Sequence, residues 1–324
     1  MNEQDTHSPI YEMSYRSRKS IRNNPIFVKE LRGLVRQQRS HSVFTFYLVI
    51  LSVITLLLYV TVVSANATNP DPDIRRTVGK MIFLAITLAQ LVAILFIAPL
   101  SSADAITSER ENKTLDLLQI TSLPASSIIR GKLIAGVVFI FLLLMSSLPL
   151  QVSAYLLGGL TSTEFLVSNV LLIATTLSLC SFSIWASTRS RRTSSAMGIA
   201  YTMVSIVLIG IPVIAYVIIK LAPVPTDQDF FLLLQAISKN LDSSIQTTFV
   251  IIVWFLISSN PISAAFVSYN LYLDEGARIL YDLPAFKAPF PLIAPWVAFV
   301  ILYLFISWLF YRLSIRQLKK NNKL

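Results

Sequence analysis

The sequence predicts an all-α polytopic membrane protein with six transmembrane helices, an N-terminal interfacial helix, a short helix in a cytoplasmic loop, and an outer re-entrant helical hairpin. Three observations carry this. Hydrophobic residues fill 54% of the 324 positions and charged residues only 14%, a balance outside that of soluble domains. The apolar residues gather in runs of the length a bilayer requires, about 20 residues. The charges lie between the runs, and Lys and Arg concentrate on alternate connections.

Residues 1–23 are polar, with no short apolar stretch ahead of the first long run, and read as a disordered cytoplasmic tail without a cleavable signal peptide. In 24–40, Asn24 is placed to cap a helix and Pro25 to open it. Phe27, Val28, Leu31, Leu34 and Val35 form one stripe, with Lys29, Arg32, Arg36 and Arg39 on another face. Such a helix lies flat on the lipid surface. Runs at 43–65, 81–103, 133–157, 165–187, 195–221 and 291–311 follow, free of Asp, Glu, Lys, Arg and His except for Lys220 near the end of the fifth. The six-span domain is therefore expected over 43–311, with a basic cytoplasmic tail at 312–324.

Positive charge near span ends favours the cytoplasmic side. Eight basic residues precede the first span; Arg110, Lys113, Arg130 and Lys132 lie in the 104–132 loop; Arg189, Arg191 and Arg192 follow the fourth span; Arg312, Arg316, Lys319, Lys320 and Lys323 follow the last. The other face receives Arg75, Arg76, Lys80, Lys220, Lys239, Arg278 and Lys287. This bias places both termini in the cytoplasm of a multi-pass inner (plasma) membrane protein. Residues 243–273 carry no charge and could form a seventh span, but that would send the basic tail outside. Asn260-Pro261 divides the stretch, so 222–290 is read as an outer, re-entrant region. Pro284, Pro289 and Pro291 make the approach to the last span extended.

The composition excludes several chemistries. Cys180 is the single cysteine, and His7 and His41 both precede the first run, so a haem, zinc or iron–sulfur site inside the membrane is not expected; Asp71, Asp73, Asp227, Asp229, Asp242, Asp274 and Asp282 fall on the outer side and read as solvated loop residues rather than metal ligands. The net charge of +10 sits in short segments between spans, so it does not form a nucleic-acid surface. The 104–132 loop is the one cytoplasmic loop long enough for a structured contact. Ser108-Glu109-Arg110-Glu111 reads as a capping box opening a helix, with Glu109 and Lys113 paired four residues apart. Leu115, Leu117, Leu118 and Ile120 would be left wet unless membrane or a partner covers them.

The string from Glu109 through Thr114, Leu115, Asp116, Leu117 and Leu118, followed by Thr121, Leu123, Ile128 and Gly131-Lys132-Leu133, resembles the loop between spans two and three of type-2 ABC transporter permeases. The opening at Asn24-Pro25-Ile26-Phe27-Val28-Lys29-Glu30-Leu31 is similar to bacterial members. Lys113 stands where members often carry Gly, and Ser122 where they often carry Pro. The resemblance implies that the loop is a coupling helix seated on cytoplasmic ABC ATPase subunits, with Glu109, Arg110, Glu111, Thr114, Leu115 and Leu118 at the contact. It also implies an interfacial helix beside it, bearing Phe27, Lys29, Leu31, Arg32 and Arg36, and a second permease, identical or homologous. No G-x-x-x-x-G-K-[ST] phosphate loop occurs in the chain: Ser126 takes the place of the first glycine before Gly131-Lys132. The chain is thus no enzyme by itself and holds no cofactor, ATP and Mg being expected on partner subunits.

Competing functions fit less well. An ion-coupled carrier needs acids or histidines within the spans, and a membrane enzyme needs a base beside its nucleophile; the spans supply neither. A non-transporting scaffold or assembly subunit is the alternative that the sequence leaves open. Gln90, Gln151 and Asn169 are expected to make interhelical hydrogen bonds. Walls bearing Ser146, Ser147, Thr175, Thr176, Ser178 and Ser181 suit an amphipathic or lipid-like cargo, and the family's commoner direction is export. Pro149 and Pro212 lie deepest among the prolines and mark kinks.

Overall fold

In a computed structural model of the chain, the described residues are 38–68, 74–115, 124–158, 160–214 and 292–321, with 217, 251–252, 254–256, 258–265, 267 and 280–281. They form helices α1 (Gln38–Thr68), α2 (Ile74–Ser102), α3 (Asp104–Glu111), α4 (Ala125–Leu156), α5 (Ser162–Arg189), α6 (Thr193–Ser205) and α7 (Pro295–Asn321). Strand β1 (Leu280–Tyr281) pairs antiparallel with β2 (Leu292–Ile293), matching Leu280 to Ile293. Among the described residues six helical stretches are long and apolar enough to cross a membrane: His41–Thr61, Arg76–Glu111, Ala125–Leu156, Ser162–Arg189, Thr193–Ile214 and Pro295–Lys320. The all-α, six-span class expected from the sequence is what the chain adopts.

The helices overrun the apolar runs that announce them. α4 begins at Ala125, ahead of its run at 133, and α7 continues to Asn321, well past 311. A helix satisfies its own backbone in lipid and in water alike, so the apolar run marks the hydrocarbon and not the helix. At ~1.5 Å per residue a 32-residue helix spans roughly 48 Å, more than the ~30 Å core. At the other margin, α7 starts at Pro295 because Leu292–Ile293 is extended, in line with the expected approach. Residues 38–40, assigned to the interfacial helix on sequence, already belong to α1; the rest of that helix lies outside the described residues.

Local signals place the ends. Thr161 and Glu164 form a reciprocal capping box that opens α5. Asn260 caps a helical stretch at 261–265: its Oδ1 accepts from Ile262 N at 2.9 Å, with Pro261 at the first position as anticipated. Pro212 follows a π-turn at Ile206–Gly210, the distortion that makes room for a proline ring inside a span.

α5 is the central helix, packing on α2, α3, α4, α6 and α7. Half of its apolar window is buried, against 11% in the first and fifth spans, so α1 and α6 face outward. The main core joins α1, α2 and α4 through Leu51, Ile82, Ile86, Ile94 and Ile140. A second cluster joins α5 to α7 and contains Phe299 stacked on Tyr303 at 3.9 Å between centroids. Within the first, Gln151 Nε2 donates to Gln90 Oε1 at 2.6 Å, Gln90 Nε2 to Ser147 Oγ at 2.6 Å, and Tyr47 OH to Ser147 Oγ at 3.2 Å. Gln90 and Gln151 are therefore interhelical, as expected. Asn169 is not: its Nδ2 donates to Phe165 O of its own helix at 2.8 Å, a bond available one turn back without a partner helix.

Candidate functional site: the α3 clasp and an apolar cleft

A short break at Ala103 separates α3 from α2 and leaves the first amides of α3 without intrahelical acceptors. Ser187 of α5 supplies one: its Oγ accepts from Ile106 N at 2.9 Å and Thr107 N at 3.1 Å. At the other end of α3, Arg110 reverses the exchange. Its Nη2 donates to Thr188 O at 3.3 Å and its Nη1 to Ser190 O, covering the carbonyls that end α5. Glu111 Oε1 accepts from Thr193 N, the first residue of α6, at 2.8 Å. The Thr193 hydroxyl lies 3.1 Å from the second Glu111 oxygen and 2.9 Å from Thr107 Oγ1. The turn between α5 and α6 is thus gripped along its length by one face of α3.

The opposite face of α3 is keyed to α4 and α7. Glu109 Oε1 lies 3.4 Å from Lys132 Nζ, with side-chain exposures of 17% and 6%, and Glu109 also accepts from the Thr114 hydroxyl. Ile106 and Leu115 pack with Ile128, Ile129, Ile184 and Leu318 in one buried cluster. The chain leaves α3 through a Schellman-type turn, in which Thr114 N donates to Glu109 O at 2.9 Å and Lys113 N to Arg110 O at 3.1 Å. Lys113 occupies the left-handed position of that turn with φ +57, where a side chain costs about 1 kcal/mol. Lys113→Gly is therefore expected to raise stability by about 1 kcal/mol and Lys113→Ile to lower it by a similar amount, read as opposite shifts in Tm.

Between α2, α5 and residues 261–265 lies a cleft of about 230 Å³ with almost wholly apolar walls, including Phe83, Leu91, Leu172 and Ile262. Lys80 and Glu164 line it at the end away from α3. From there to Leu91 and Thr175 is eleven residues along each helix, roughly 16 Å, or about one leaflet. Thr87 lines it too, and its Oγ1 is buried without a hydrogen-bond partner.

One family model matches the chain, that of the ABC-2 family transporter protein, over residues 24–314. The chain belongs to this family. No curated protein matches it closely enough to report as a relative. Membership makes the chain the multi-pass membrane component of an ABC transporter, a class associated with separate ABC ATPase subunits, and not itself the ATPase.

Several sequence expectations for the permease's loop change. Ser108 does not open a helix; it sits in the last turn of α3, which starts at Asp104 because the helix all but continues from α2. Glu109 does not pair with Lys113, whose left-handed backbone carries it off the helix, but with Lys132. Leu115, expected to need an outside cover, is buried within the chain. Leu118 lies outside the described residues, as do Phe27, Lys29, Leu31, Arg32 and Arg36. Thr175 and Thr176 bond back to Leu171 O and Leu172 O, and Ser181 bonds to Ser307 of α7, so these hydroxyls serve helix contacts. Sequence reasoning missed Ser187 and Thr193 altogether. Each is one hydroxyl among many, and only the approach of α3, some eighty residues distant, distinguishes them.

Proposed function

We propose that the permease works as an exporter of an amphipathic or lipid-like molecule, driven by cytoplasmic ATPase subunits that carry ATP and Mg and bear on α3. The observation that carries this is the clasp: one eight-residue helix is bonded to α5 and α6 by Arg110 and Glu111 and to α4 by Glu109, and its Ile106, with Leu115 just beyond it, shares a buried cluster with Leu318 of α7. A force on α3 would reach four spans at once, as a rigid-body switch between two packings requires. Glu109, Arg110 and Leu115 act as its internal joints, which leaves the exposed tip at Glu111, Asn112 and Lys113 for the ATPase. The lipid-like cargo is supported by the cleft, one leaflet deep and apolar, with Lys80 and Glu164 placed for a polar headgroup. Both termini on the cytoplasmic side, and a second permease against the outward-facing α1 or α6, complete the reading.

Reversing Glu111 to Lys breaks its bonds to Thr193 and inverts the charge of the tip. In the purified permease–ATPase complex reconstituted in lipid, ATPase activity is expected to fall about five-fold or more, while the permease still inserts and co-purifies with its spans folded. Unchanged activity would remove α3 from the drive.

A further inference from the structure

At the α3 end of the bundle, the start of α4 and the last turns of α7 enclose a groove of about 450 Å³. Arg130 enters it from α4; Arg312, Arg316 and Lys319 enter from α7. All four are exposed, and among the described residues no carboxylate pairs with any of them. Among the described residues no acid lines the groove. Cations brought together from segments about 180 residues apart repel one another, and the groove's geometry holds them around a common space. Its upper wall is aromatic: Trp308 and Tyr311, with the Arg312 guanidinium 5.2 Å from the centre of the Trp308 ring.

We propose that this groove holds the phosphate headgroup of an anionic phospholipid from the leaflet at the α3 end. Charge complementarity selects an anion, and arginine forks match the paired oxygens of a phosphate. The level selects a lipid over a soluble anion or an acidic protein surface. Leu304, Phe305 and Trp308 are exposed apolar side chains of α7, and the cations begin one turn later. That change from apolar through aromatic to basic marks the headgroup layer, where Trp and Tyr settle. Basic pockets between spans at this level are suited to anionic headgroups. The site depends only on the chain being embedded in a membrane, and not on the cargo or on the ATPase contact.

The test uses the full chain, purified in detergent and mixed with phosphatidylglycerol or phosphatidylcholine, with retained lipid counted by native mass spectrometry. Wild type is expected to retain phosphatidylglycerol preferentially. The variant Arg130→Gln/Arg312→Gln/Arg316→Gln/Lys319→Gln should lose that retention about ten-fold or more. A control that removes charge outside the groove, Arg189→Gln/Arg191→Gln/Arg192→Gln, should keep it. Equal loss in both variants would reduce the effect to general attraction and overturn the site. Displacement of the lipid by millimolar inorganic phosphate, or by the ATPase subunit, would overturn the choice of a lipid. If the quadruple variant does not insert, Arg316→Gln alone must lose retention about five-fold, and no loss there overturns the proposal.

Discussion

Replacing Lys132 with Met lowers the stability of the permease by about 3 kcal/mol, because it strips the cation from a carboxylate that is itself largely buried. Glu109 and Lys132 lie 3.4 Å apart, with 17% and 6% of their side chains exposed. Removing one member of such a pair leaves the other's desolvation uncompensated, whereas removing both removes that cost as well. The double variant Glu109→Gln/Lys132→Met should therefore recover most of the loss, so the two changes are strongly non-additive. Thermal melts of the single and double variants in detergent test this directly. If Lys132→Met melts like wild type, the pair does not hold α3 to α4. The coupled readout is also informative: the double variant, though refolded, lacks the ionic joint and should show weaker ATPase stimulation in the complex than its Tm would suggest.

The spans were legible because hydrocarbon imposes its requirement on every residue of a segment, and a run free of charge is hard to mistake. Helix ends were less legible, since the backbone pairs internally on both sides of the lipid boundary. α4 and α7 overran their apolar runs for that reason. Local chemistry confined to a few residues read well: Asn260-Pro261 opened a helix as expected, and Pro212 lay beside a distorted turn. Gln90 and Gln151 read well too, because an amide deep in a span has few options other than another helix.

The loop is legible as a motif, but the contacts its side chains make within the chain are not. Its charges were expected to face a partner, yet Glu109, Arg110 and part of Glu111 are spent on Lys132, on the end of α5 and on the start of α6. Nothing in the string itself signals this. A glutamate followed by an arginine is chemically identical whether it meets solvent, an ATPase or a carbonyl contributed from eighty residues away. Leu115 shows the same limit, since its cover comes from Ile128, Ile184 and Leu318, three separate helices. Lys113, set apart in the sequence only by the resemblance, proves to hold a left-handed position. The turn is retained by backbone hydrogen bonds that do not depend on the residue's identity.

Gly79→Ala should be the most damaging single-carbon change outside the clasp. A Cβ at Gly79 would lie 2.5 Å from Gly158 O, 2.7 Å from Ala154 O and 3.0 Å from Leu157 Cβ. Two of the three obstacles are backbone oxygens, so no rotamer change relieves the clash and α2 must draw away from the end of α4. Overpacking of this kind costs about 1–3 kcal/mol, and here it also pulls on the wall that carries Lys80 and Phe83 into the cleft. Two other glycines separate this cause from a general intolerance. Gly158 has φ +91 but only Arg76 Cγ nearby, at 3.6 Å, so Gly158→Ala should cost about 1 kcal/mol from backbone strain alone. Gly198, within α6, meets nothing within 4 Å, and Gly198→Ala should be neutral or stabilise by up to about 1 kcal/mol through helix propensity. The expected order of Tm is therefore Gly198→Ala highest, Gly158→Ala intermediate and Gly79→Ala lowest. A Gly79→Ala protein that melts with wild type would mean that α2 and α4 do not meet at this close approach.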